Sequence, residues 1–259
     1  MDNILVITSI VLKELVRRKD AYVLFIITAL LTILAGSVHF FGDLKMVRYM
    51  KELCLLLVWI SSIVIAVTLT ARQIHAERES RTLFSLLSKP VSRSQVILGK
   101  FFGCWLACGV ALLAFYGFFV ATAISRGEHW RLAEHLQAFW MHWIMLGVVV
   151  SMVLCGSLVF TAPSSNATIN FVVILAILMI GRHLAKVAVQ FGEPAQTVAL
   201  AVFYTMPHLE FYDLRDLIIH DWPLVNWSMI GIATLYAAAY AAAFLGIACF
   251  LFRRKPLNA

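Results

Sequence analysis

Charge is scarce in this sequence. Only 14% of its 259 residues are Asp, Glu, Lys or Arg, while 62% are hydrophobic. A soluble domain is typically about half apolar. Here the charges gather in blocks between long uncharged runs, which excludes an ordinary water-solvated globule. Cysteine is sparse too. Cys54, Cys104, Cys108, Cys155 and Cys249 all fall inside apolar runs, so no disulfide framework is expected. No G-x-x-x-x-G-K-[ST] phosphate loop occurs, since Gly99-Lys100 is followed by Phe101 and lacks the upstream glycine. The chain is therefore not expected to bind ATP in the usual way. The N-terminus lacks the short apolar core and small-residue cleavage site of a secretory signal. Almost no ionisable group sits at the middle of an apolar run, which argues against a proton relay. No paired acids mark a metal-dependent lipid transferase, and Met206–Asp213 holds no nucleophile–base pair.

What is present is a series of apolar runs about as long as the roughly 20 residues a helical span needs. They are 21–41, 53–71, 101–124, 139–160, 168–189 and 228–252. In lipid every backbone group must be satisfied within its segment, so these read as six α-helices. Counting Lys and Arg in alternate connections places 13 of the 21 on the side of the N-terminus. By the positive-inside rule both termini are then cytoplasmic. Lys45, Arg48 and Lys51 fall in the first outer loop on this topology.

Four connections carry further information. Asp2–Arg18 places Ile4, Ile7, Val11 and Leu15 on one face and Ser9, Lys13 and Arg17 on another, an amphipathic helix suited to the membrane surface. Thr161–Ala167 is a short, uncharged turn. Residues 192–227 form an outer segment divided by Pro194, Pro207 and Pro223. It is too apolar for a solvated loop and reads as re-entrant or interfacial helices. Arg72–Lys100 is the one substantial cytoplasmic loop. Nothing breaks helix between Leu69 and Ser88, and Glu77 and Arg81 pair at i,i+4. Pro90 disfavours helix at Lys89, and Ser92 with Gln95 forms a capping-box pattern for a new helix. The outcome is a charged elbow at the inner membrane face, able either to transmit motion from a partner or merely to serve as a solvated positive-inside loop.

Glu77-Arg-Glu-Ser-Arg-Thr82, then Leu86-Leu-Ser-Lys-Pro-Val-Ser-Arg93 and Leu98-Gly-Lys100, resembles the signature loop of ABC-2 type transporter permeases. The amphipathic start with Lys13-Glu14 and the proline-containing outer segment extend the resemblance over most of the chain. It implies residues 1–20 as a connecting helix and 21–259 as a six-span transmembrane domain. It also implies a coupling loop over 72–100 and outer re-entrant helices over 192–227. Glu77, Arg78, Glu79, Arg81 and Thr82 would dock on a separate ATPase subunit, with Lys89, Pro90 and Arg93 completing the motif. Lys13, Glu14 and Arg17 would lie beside that ATPase, and Pro207 to Asp213 would belong to an outer gate. The cofactors implied are ATP and Mg in the partner ATPase, none in this chain. The partners are two ATPase subunits, a second permease copy or paralogue and membrane lipids.

Other constellations have bland readings beside the functional ones. Cys104 and Cys108 share a face, as small packing residues or a thiol pair. His129, His135 and His142 stand among Trp130, Trp140 and Trp143, as an aromatic belt or metal ligands. Arg182, His183 and Lys186 either snorkel to the interface or attract an anionic outer-leaflet group. Asn166-Ala-Thr168 and Asn226-Trp-Ser228 match the glycosylation pattern weakly. The function expected is an ABC exporter permease moving a lipid, glycan or hydrophobic compound. The alternative is a membrane assembly factor serving a periplasmic metal centre or cytochrome.

Overall fold

The computed structural model describes residues 2–17, 19–37, 43–79, 92–125 and 131–254. They form nine α-helices and one 3-10 turn, with no strand among them. In chain order the helices are α1 (Asp2–Arg17), α2 (Lys19–Ser37), α3 (Asp43–Glu79), α4 (Arg93–Ser125), α5 (Leu132–Val159), α6 (Pro163–Ala188), α7 (Ala195–Thr205), α8 (Arg215–Ile219) and α9 (Trp227–Arg254). The 3-10 turn is Leu209–Tyr212.

Among the described residues, five helices are long and apolar enough to cross a membrane: α4, α5, α9 and the stretches Arg48–Glu77 of α3 and Pro163–Gly181 of α6. In α2 the apolar stretch is the shorter Tyr22–Ile33; the end of the run expected over 21–41 lies outside the described residues. The lysines and arginine expected in a first outer loop, Lys45, Arg48 and Lys51, instead stand on α3. That helix runs without a break for 37 residues, about 55 Å at 1.5 Å per residue.

The core is α5, with 83% of its span buried, against 28% for α6 and 22% for α9. A helix apolar all round suits either lipid or a protein interior, and it is packing against α3, α4 and α9 that sets α5 at the centre. Trp105 of α4 and Trp143 of α5 lock the two together, each indole donating to the other's backbone carbonyl at 2.9 and 3.1 Å. Their rings stack 4.7 Å apart.

The turn into α6 is shorter than the Thr161–Ala167 expected, because the helix already starts at Pro163, in a first turn where a missing N–H costs nothing. Asn166 Nδ2 then donates to Ser157 Oγ at 2.8 Å and Val153 O at 3.2 Å, while Asn170 Nδ2 donates to Asn166 Oδ1 at 2.8 Å. Such polar contacts join helices in lipid, where apolar burial no longer drives association. Asn166→Leu should lower stability by about 1–2 kcal/mol, read by denaturant titration in detergent. An unchanged midpoint would show that the amide ties nothing.

Candidate coupling site at the elbow

At one end of the bundle lie the last described turn of α3 and the start of α4; the turn of the predicted elbow, at Lys89-Pro90, lies outside the described residues. Helix α1 lies along the start of α4 because two glycines let it approach. A Cβ on Gly99 would sit 2.9 Å from Ile7 Cβ, and one on Gly103 2.7 Å from Val11 Cβ. Thr8 Oγ1 donates to the carbonyl of Gly99 at 3.2 Å. The face predicted as apolar is thus packed on protein at Ile7 and Val11, while Leu5, Val6 and Ile10 remain exposed. Lys13 is exposed as well.

Beneath this contact lies a buried polar chain. Gln73 Nε2 donates to Glu14 Oε2 at 2.8 Å. Lys100 Nζ donates to Gln73 O at 3.0 Å and to Gln73 Oε1 at 3.3 Å. The same ammonium pairs with Glu77 Oε1 at 2.8 Å, with side chains 3% and 20% exposed respectively. A charge so buried is tolerated only when paired and hydrogen-bonded. The network therefore fixes α1, α3 and α4 relative to one another through three charged groups and an amide.

The entry to α4 follows the expected capping box. Ser92 N donates to Gln95 Oε1 at 2.9 Å and Gln95 N to Ser92 Oγ at 3.3 Å. Arg93, implied as part of the ATPase motif, also holds two helices together. Its Nη1 donates to Phe252 O at 2.7 Å and Arg253 O at 3.1 Å. Cations suit the carbonyl end of a helix, so Arg93 clamps the last turn of α9 to the first of α4. Arg78 and Glu79 lie on the final turn of α3, and Arg17 on that of α1. Arg81, Thr82, Lys89 and Pro90 lie outside the described residues.

At the opposite end, residues 206–226 form a cap. Pro207 is buried. Asp213 holds Arg215 in a two-pronged pair, with Nε and Nη2 each donating at 2.8 Å, and the guanidinium lies 5.0 Å over the Trp59 ring. Burial alone pulls the Arg215 pKa down, but the hydrogen bonds and charge of Asp213 outweigh it and the net shift is upward. Gln137, fully buried, gives both halves of its amide to Val225: Nε2 donates to the carbonyl at 2.8 Å and Oε1 accepts from the N–H at 3.1 Å. Lys51, 3% exposed, donates to Ile218 O at 3.3 Å.

The other candidates separate. All five cysteines are free thiols. His142 Nε2 lies 2.7 Å from Ser62 Oγ, and His135 Nδ1 2.9 Å from Arg131 O, so these two histidines meet different partners. His129 is outside the described residues. Among the described residues no group of three potential metal ligands converges.

Sequence reasoning misses Gln73, Lys100, Lys51 and Gln137 as site residues. For Lys100 a signal is present: Gly99-x-x-x-Gly103 is the small-residue spacing of close helix contacts, and a lysine inside such a contact needs a buried partner.

A long-helix bundle with one interior helix, a polar hub at one end and a pinned cap at the other is a multi-pass membrane protein. The ABC-2 family transporter protein model matches residues 5–257. The chain belongs to that family and is a membrane-spanning permease of the ABC transporter class. A comparison with curated proteins found no match.

Proposed function

We propose that this chain is the permease subunit of an ABC exporter. It works as a pair with an identical or paralogous permease and with two separate ATPase subunits that bind ATP and Mg. It has six spans in the cytoplasmic membrane of a prokaryote, with both termini inside. The elbow then faces the cytoplasm and the cap faces outward. A reporter fused after Ala259 should register as cytoplasmic; an outside signal would overturn this topology.

The observation that carries the coupling reading is the Glu14–Gln73–Lys100–Glu77 chain. Glu77 stands on the last described turns of α3, where the family motif begins, and its carboxylate is tied to α4 and through Gln73 to α1. Force applied by an ATPase at 77–82 would reach three helices at once. No covalent chemistry is assigned to this chain. Charge reversal at Glu79 and Arg81 should lower ATPase co-purification and substrate-linked turnover at least tenfold. Unchanged association and turnover would remove the coupling role.

A re-entrant cap fits the tyrosines of α9. Tyr240 Oη donates to Thr205 O at 3.3 Å and Met206 O at 3.4 Å. Tyr240 stands 13 residues into α9, about 20 Å from its start, so the end of α7 dips well below the start of α9. A groove of about 660 Å³ between α5, α6, α7 and α9, lined by Met152, Val173, Ile177, Val202 and Phe244, suits a lipid or another hydrophobic cargo.

A further inference from the structure

We propose that Lys51 is the residue through which α3 holds the cap shut, and that α3 acts as a rod joining elbow to exit. Three observations carry this. First, α3 is unbroken from Asp43 to Glu79, so Lys51 and Glu77, 26 residues apart, are fixed about 39 Å from one another. Second, each end of the rod is fastened by a buried lysine. At the elbow Lys100 of α4 grips Glu77 and Gln73 of α3. At the cap Lys51 of α3 grips the Ile218 carbonyl, with Asp221 at 3.9 Å. Third, the segment gripped is the middle of the cap: Leu217, Ile218 and Ile219 are buried and α8 lies against both α3 and α5.

The chemistry suits a latch. A lysine on a backbone carbonyl makes a short-range, charge-assisted bond that a sliding of α3 by an ångström or two would break. The Gln137–Val225 pair holds the other end of the cap to α5, so the cap would swing about that pair rather than detach. Lys51 is a positioning residue: it touches the cap and leaves cargo to the groove. The physiological meaning rests on the coupling reading above, but the latch can be tested without an ATPase.

The test uses the full chain in lipid nanodiscs, with Cys155 and Cys249 replaced by alanine and Ile218→Cys as reporter, which leaves the Ile218 carbonyl in place. The readout is the rate of alkylation by a water-soluble maleimide. Lys51→Met should raise that rate at least tenfold, and Lys51→Arg should keep it within about twofold of the parent. Glu77→Gln, at the far end of the rod, should raise it severalfold when Lys51 is present and add nothing to Lys51→Met. An unchanged rate in Lys51→Met overturns the latch. A Glu77→Gln effect that is absent, or equal in both backgrounds, overturns transmission through the rod. Either failure leaves ATPase docking untouched, and loss of ATPase docking leaves these rates unchanged.

Discussion

Lys100→Met should cost this protein about 3 kcal/mol of stability, the lower end of what breaking a fully buried pair costs, because it removes a buried cation from the part-buried carboxylate of Glu77. The lost pair is short, at 2.8 Å, and Lys100 is 3% exposed. The carbonyl and amide oxygen of Gln73 lose the lysine's hydrogen bonds at the same time. Replacing both charges, Lys100→Met with Glu77→Met, should recover most of that loss, since an apolar pair of similar volume often equals a buried ion pair. Transport should not recover with it. A double variant that folds yet moves no cargo would separate the hub's transmitting role from its packing role. A double variant that is fully active would show that the pair serves packing alone. Thermal unfolding in nanodiscs and cargo flux in proteoliposomes are the two readouts.

The second large effect is expected at Gly103. Valine there would drive its side chain into Val11, since even a bare Cβ falls 2.7 Å from Val11 Cβ and 3.0 Å from Val11 Cγ2. Overpacking of this kind costs about 1–3 kcal/mol, and here the weakest response is for α1 to lift from α4. Lifting breaks the Thr8 bond to Gly99 and exposes Gln73 and Glu14 to water. Gly103→Val should therefore raise proteolysis within residues 2–17 at least tenfold and reduce coupled ATP turnover in step. Gly117, where a Cβ meets nothing within 4 Å, is the control: Gly117→Val should change neither. Equal sensitivity at the two positions would contradict the close-contact account.

The parts of this structure that are legible in the sequence are those set by local chemistry. Long uncharged runs mark the membrane helices, the Ser92–Gln95 spacing marks the start of α4, and the breaker-free stretch after Leu69 marks the continuation of α3. The apolar stripe Ile7–Val11 marks the buried face of α1, although not its seat on Gly99 and Gly103. What is not legible depends on partners distant in the chain. Lys51 reads as a loop lysine because its acceptor lies at Ile218, far along the sequence. Arg93 reads as motif, yet its acceptors close the last turn of α9. Lys100 reads as the end of the signature loop, with no role of its own, until Gln73 and Glu77 come to lie beside it. In each case composition gives a cation near a helix end, and only the packing of helices shows which carbonyl or carboxylate it meets.

The central claim is that residues following Glu77 receive a nucleotide-binding partner. The most direct measurement is in-cell photo-crosslinking from a benzoylphenylalanine placed at Arg81, with Tyr204, exposed on α7, as the comparison site. The predicted result is an adduct from position 81, and none from 204, with a polypeptide that carries a phosphate-binding loop and retains ATP on capture. An Arg81 probe that yields no nucleotide-binding adduct, or a Tyr204 probe that yields the same one, would contradict the account.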